Sequence, residues 1–126
     1  MSIRKVLLVD DDPDIRIIGG MSLRNVGKWQ VVVAEDGAAA VEAVERERPD
    51  LVLLDVVMPG LDGPATLRRI RELPAGATLT VLFLTAKSQE TERARLLALG
   101  AQGVLAKPFS PMLLPKQICL ILEQAR

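Results

Sequence analysis

Asp10, Asp55, Thr85 and Lys107 each sit at the end of a short apolar run, and Asp10 opens the triplet Asp10-Asp11-Asp12. Taken singly such residues are ordinary, because apolar runs give way to loops and loops are polar. Taken as a set they suggest chemistry. Carboxylates brought together repel one another and cost stability unless a cation compensates. A hard divalent ion such as Mg2+ suits that role, since it takes one or two carboxylates together with waters and phosphate oxygens. Lys107 supplies a mobile point charge and Thr85 a hydroxyl donor. A carboxylate beside a cation and a lysine, as Asp55 would be, is placed to attack phosphorus. Metal and lysine would then neutralise the oxygens of the transferring phosphoryl group.

Composition removes the main alternatives. The 126 residues contain no His, which excludes Ser-His-Asp, Cys-His and His-ligated metal chemistry. The single Cys119 excludes an internal disulfide and fits a reducing compartment. Lys plus Arg and Asp plus Glu each number 16, so net charge gives no reason to expect nucleic acid or an anionic membrane. The N-terminus lacks the apolar stretch of a signal peptide, and no apolar run approaches about 20 residues, so the expectation is a cytoplasmic protein. The length suits one domain over 1–126.

The elements that must position these residues are legible as five pairs. The apolar runs are Val6–Val9, Val31–Val33, Leu51–Leu54, Val81–Leu84 and Val104–Ala106. They are continuous rather than alternating, which indicates parallel strands buried on both faces. Between and after them lie segments of helical size: 14–25, 38–48, 64–73, 89–99 and 110–124. Pro64 suits a first helical position, and Ser110 is expected to cap the last segment. The pattern predicts (βα) five times over, a three-layer α/β domain. Two local conflicts stand out. Gly19-Gly20 falls inside the first helix, at about 1 kcal/mol each relative to Ala. Pro115 falls inside the fifth, which should be kinked or start late. Trp29 reads as a packing residue and Cys119 as a small buried hydrophobe. The run Ile118-Cys119-Leu120-Ile121-Leu122 is read with Ile118, Ile121 and Leu122 inward and Leu120 half exposed.

With these motifs in order, the chain resembles the receiver domains of two-component response regulators. The matching text is Val9-Asp10-Asp11, Leu54 to Gly63 (Leu-Asp-Val-Val-Met-Pro-Gly-Leu-Asp-Gly), Leu84-Thr85-Ala86 and Lys107-Pro108-Phe109. The resemblance covers residues 3 to 124. It implies a flavodoxin-like, doubly wound parallel five-stranded sheet of order 2-1-3-4-5, with the second strand at an edge. It implies Asp55 as phosphoacceptor, Asp10 and Asp11 as the acidic pair for Mg2+ with Asp11 the direct ligand, and the Val57 carbonyl completing the metal site. Thr85 matches the switch hydroxyl and Lys107 the lysine that contacts the phosphoryl group, with a cis bond before Pro108. Asp12 reads as a helix-start charge. The donor implied is the His of a sensor kinase or phosphotransfer protein, since this chain has none. The downstream protein target is unnamed, and no direct nucleic-acid or membrane contact is expected. Arg68, Arg69 and Arg71 read as a solvated face. A pairing surface for a homodimer is expected on the fourth helix, fifth strand and fifth helix. Ending at the fifth helix, the chain is expected to signal by docking or by passing phosphate on.

Three positions depart from the family's usual pattern. Val104 stands where an aromatic commonly couples to the Thr, so the readout is expected to differ, through a gap near the fourth helix or through backbone motion. Val57 and Lys87 occupy the positions that influence how long the phosphoryl group lasts. Val57 cannot orient a water and a charged lysine offers no base, so slow self-dephosphorylation is expected. A half-life of seconds for the isolated phosphoprotein would overturn that expectation.

Two other classes compete. A haloacid-dehalogenase-type phosphatase also uses Asp, Thr and Lys at strand ends, and Asp10-Asp11-Asp12 contains Asp-x-Asp. Its Thr or Val two residues on is Asp14 here, and only Glu123 follows Lys107 as an acidic residue. A degenerate receiver acting purely as a binding module is disfavoured because every chemistry residue is present. A calcium loop starting at Asp10 fails, with Ile15 at its glycine position and Met21 at its glutamate.

Overall fold

The computed structural model describes residues 2–87 and 89–124. Strands β1 (Lys5–Val9), β2 (Gln30–Ala34), β3 (Leu51–Asp55), β4 (Thr80–Thr85) and β5 (Gly103–Ala106) alternate with helices α1 (Pro13–Met21), α2 (Gly37–Glu47), α3 (Gly63–Glu72), α4 (Glu90–Ala98) and α5 (Leu114–Gln124). All neighbouring strands pair in parallel, in the order β2-β1-β3-β4-β5. This is the expected doubly wound sheet.

The continuous apolar runs divide their side chains between two cores, because successive strand residues point to opposite faces. Leu7, Val9, Val52, Leu54, Val81 and Phe83 pack with Ala40 and Val44 of α2, Leu67 and Ile70 of α3, and Leu96 of α4. Val6, Leu8, Leu51, Leu53, Leu82 and Leu84 pack with Leu23, Leu114 and Ile118 on the other face. The central strands β3 and β4 are buried throughout. Strand β2 is not: it lies at the edge, and Val33 is 43% exposed. The expectation of burial on both faces therefore fails for this strand, which has a sheet neighbour on one side only.

Aspartates start three of the helices. Asp12, Asp36 and Asp62 accept the backbone N–H of Asp14, Ala39 and Ala65 respectively. Asp12 is thus a cap, as its place before α1 suggested. The expected cap at Ser110 is wrong. Its carbonyl accepts the N–H groups of Leu113 and Leu114, a turn runs ahead of the helix, and α5 begins at Leu114. Pro115 then lies in the first turn, where a missing N–H leaves no bond unmade. Helix α1 ends at Met21 and continues as a π-helical turn, Ser22–Val26.

Two glycines are explained by close approach. A Cβ on Gly19 would lie 2.8 Å from Leu8 Cδ2, so the glycine lets α1 sit directly on β1. A Cβ on Gly63 would lie 2.4 Å from the carbonyl oxygen of Asp55 and 2.8 Å from Val56 Cα, backbone atoms that cannot swing aside. Gly63→Ala is accordingly expected to lower stability by about 3 kcal/mol, read from the midpoint of chemical denaturation. An unchanged midpoint would show that the loop after β3 yields freely.

Helix α5 carries Ile118 fully buried, Ile121 and Leu122 half-buried, and Leu120 47% exposed, as its pattern suggested. Cys119 is exposed rather than buried. One residue on from the inward Ile118, a helix turns its side chain about 100° away from the core. Trp29 packs half-buried against the α1–α5 face. Among the described residues no helix is long and apolar enough to cross a membrane.

Candidate functional site

Strand order assembles the site. β1 lies beside β3, with Val9 opposite Leu54, so Asp10 and Asp55 leave the sheet side by side. β4 follows, with Leu84 opposite Asp55, and β5 lies beyond it, with Ala106 opposite Thr85. Asp10, Asp11, Asp55, Val57, Thr85 and Lys107 line one cleft of about 270 Å3 at the carboxyl ends of the strands. All the residues expected to carry chemistry are therefore brought together.

Lys107 starts from the edge strand and must reach past Thr85. Its length is what allows this. Nζ donates to Asp10 Oδ2 at 3.0 Å and to Asp55 Oδ1 at 3.1 Å. Both acceptors are buried, Asp10 completely and Asp55 with its side chain 4% exposed. The other Asp10 oxygen, Oδ1, accepts the N–H of Asp12 at 3.0 Å. Asp11, in contrast, is exposed at the rim. One carboxylate oxygen from each of Asp10, Asp11 and Asp55 lies within 4.8 Å of the other two. The bond between Lys107 and Pro108 is cis.

Three carboxylates face one ammonium, and the imbalance shows in the acidities. Burial, then the charge of Asp10, push Asp55 up from an ordinary 3.8 to about 6, although Lys107 pulls the other way. Burial alone would lower Lys107. Its bonds and charge attraction to Asp10 and Asp55 outweigh this and hold it above its ordinary value. The donor set is all oxygen, hard and net negative, which is what a divalent cation such as Mg2+ takes.

Thr85 is buried, and its hydroxyl is engaged by its own loop. Oγ1 accepts the N–H of Lys87 at 3.0 Å and donates to the Lys87 carbonyl at 3.3 Å. The Val57 residue is 75% exposed and Lys87 exposed, so neither side chain offers a fixed polar group to the cleft. Val104 is buried. The groove it lines, about 320 Å3, runs along the β5–α5 connection and α5 with Phe109, Gln117, Leu120 and Ile121. Val104 itself packs in the core that holds Leu96 of α4.

One contributor was invisible in the sequence. Arg16 Nη1 donates to the backbone carbonyl of Asp10 at 2.8 Å. An arginine in the first turns of a helix reads as a surface charge, and nothing in its spacing marks a bond to backbone.

Comparison with known proteins agrees with this geometry. The family model for the response regulator receiver domain matches residues 6–119. The chain is 35% identical to the alkaline phosphatase synthesis transcriptional regulatory protein PhoP of Bacillus subtilis, over 97% of this chain and 50% of that protein. It thus spans about half the length of that regulator. Among solved structures, the chemotaxis response regulator CheY4 of Vibrio cholerae superposes with a TM-score of 0.87 at 31% identity, covering 95% and 99% of the two chains. The receiver domain of the sensor histidine kinase PA1611 of Pseudomonas aeruginosa, solved with a magnesium ion coordinated in its active-site cleft, gives 0.81 at 31% identity, covering 98% of each.

Proposed function

The chain belongs to the response regulator receiver family of two-component signalling, and on that premise we propose that Asp55 is its phosphoacceptor, with Asp10, Asp11, Thr85 and Lys107 as its partners. One observation carries the assignment. Asp55 is the carboxylate buried at the end of β3 that bonds Lys107 and lies within 4.8 Å of the Asp10 and Asp11 oxygens. In the reaction, the P–N bond of a phosphohistidine breaks and a P–O bond to Asp55 forms, the histidine nitrogen keeping the electron pair. The histidine belongs to a sensor kinase or phosphotransfer protein, because this chain has no His.

The residues divide the work. Asp55 must be ionised to attack, and a pKa raised only to about 6 still leaves it so at neutral pH. Lys107 holds the carboxylate in place and neutralises phosphoryl oxygens as they arrive. Asp10, Asp11 and Asp55, with the Val57 carbonyl, would hold Mg2+. Asp10 has both oxygens engaged already, which favours Asp11 as the direct ligand. When bound, Mg2+ supplies positive charge to the transferring phosphoryl group. The PA1611 receiver, with its magnesium-bearing cleft, supports this reading. Thr85 would exchange its bonds to Lys87 for the phosphoryl group, releasing the loop before α4. That route needs no aromatic at position 104.

A cytoplasmic location is proposed with it, where a sensor kinase would meet the chain. The face of α4, β5 and α5, where Leu97, Leu99 and Leu120 are 37–47% exposed, is proposed as the pairing surface. Nothing in the site favours the phosphatase reading. Asp10 would be its nucleophile, yet Asp10 is fully buried with both carboxylate oxygens bonded.

Intact-mass measurement after incubation with acetyl phosphate and Mg2+ tests the assignment. Wild type is expected to gain one phosphoryl group and Asp55→Asn none. Addition to the variant would move the acceptor elsewhere, and steady release of inorganic phosphate that depends on Asp10 would favour the phosphatase.

A further inference from the structure

Asp10 and Asp11 are held in different ways. Asp10 has its side chain fixed by the Asp12 N–H and by Lys107. Asp11 is exposed, and its carboxylate meets that of Asp55, a neighbour that repels it when both are ionised. What can set its position against that repulsion is the backbone. At this point the backbone is leaving the sheet. Asp10 N–H still bonds the Ala34 carbonyl at 3.2 Å, but pairing with β3 ends one residue earlier, at Val9 and Leu54. The Asp10 carbonyl, past the last paired rung, is taken by Arg16 Nη1 at 2.8 Å.

That carbonyl shares one planar unit with the N–H and Cα of Asp11. Holding its oxygen fixes the plane from which the Asp11 side chain departs. Arg16 is suited to hold it, half-buried on α1 and with α1 itself set on β1 through Gly19. We infer that Arg16 is a positioning residue, which sets the Asp10–Asp11 peptide so that the Asp11 carboxylate meets the metal. This rests on the reading of Asp10, Asp11 and Asp55 as Mg2+ ligands.

Charge and position predict opposite signs here. A guanidinium near a divalent cation repels it, so on charge alone its removal tightens Mg2+ binding. If Arg16 positions Asp11, its removal weakens binding. Calorimetric titration of MgCl2 into wild type, Arg16→Met and Arg16→Gln separates the two. Met keeps the apolar stem without a donor, and Gln keeps a donor without the charge. Arg16→Met is expected to weaken Mg2+ affinity about tenfold, the scale of losing an outer partner of a metal ligand. Arg16→Gln is expected to recover most of that loss. Both variants should keep the far-ultraviolet circular dichroism of wild type. Affinity equal to or tighter than wild type in both overturns the inference. Should Arg16→Met not fold, Arg16→Gln decides alone: binding equal to or tighter than wild type overturns the inference, and weaker binding supports it. No Mg2+ binding by wild type overturns the ligand assignment itself, and this inference with it.

Discussion

Asp55→Asn is expected to be more stable than wild type at pH 7.5 without Mg2+, by about 1–2 kcal/mol. Ionised Asp55 is buried beside Asp10, and its value of about 6 against an ordinary 3.8 measures what ionisation takes from the fold. The shift corresponds to about 3 kcal/mol. That value already includes the pull of Lys107; solvent reaching the cleft screens part of the cost, so the net gain is smaller. The sign with pH follows from the direction of the shift. A folded-state value above the unfolded one stabilises the native protein below pH 4, and that contribution is lost as pH rises through 6. The difference between variant and wild type should therefore be full at pH 7.5 and shrink to about a third of that at pH 4.5. Urea denaturation of both proteins in a chelator, at the two pH values, measures it. Equal stability at pH 7.5, or a gap as large at pH 4.5 as at pH 7.5, would sink the argument. Mg2+ should narrow the gap above pH 6, because it stabilises only the ionised site.

This tension explains why the site was so legible. A stable fold has no use for acidic residues gathered at the ends of neighbouring strands, so Asp10, Asp11 and Asp55 stand out against their buried runs. The strands were legible for a related reason: sequences buried on both faces leave few alternatives to Val, Leu and Phe. What stayed hidden depends on main-chain geometry. The Arg16 bond to the Asp10 carbonyl and the Lys87 backbone on the Thr85 hydroxyl involve atoms that every residue has. No residue type announces them. The start of α5 was misjudged because Ser110-Pro111 is a good helix opening in isolation. The turn that delays it uses the Ser110 carbonyl instead. The Ser22 hydroxyl, bonded to the Pro111 carbonyl, ties that turn to the far end of α1, a contact between residues distant in sequence. Cys119 was misplaced because five apolar residues in a row hide the helical phase, which only the packing of Ile118 sets.

Lys107→Met should have the opposite effect to Asp55→Asn, and a larger one. Among the described residues Lys107 is the one cation bonded to two buried carboxylates. Removing one member of a buried ion pair leaves uncompensated charge and costs about 3 kcal/mol or more. At pH 7.5 without Mg2+ the variant is therefore expected to be less stable than wild type by about 3 kcal/mol. The loss should shrink at pH 5, where Asp55 can take a proton. Lys107 has its own value raised and stays charged across this range, so the slope belongs to Asp55. Two further results follow from the same cause. Mg2+ should raise the midpoint of Lys107→Met by more than it raises wild type, because the metal then supplies the compensating charge that the lysine no longer does. And Lys107→Met combined with Asp55→Asn should lose less than the sum of its parts, since only Asp10 is then left facing no cation, with a coupling of about 1–3 kcal/mol. Additivity, or a Lys107→Met protein as stable as wild type at both pH values, would mean that solvent in the cleft already screens the carboxylates. The lysine would then serve the incoming phosphoryl group without compensating the carboxylates before it arrives.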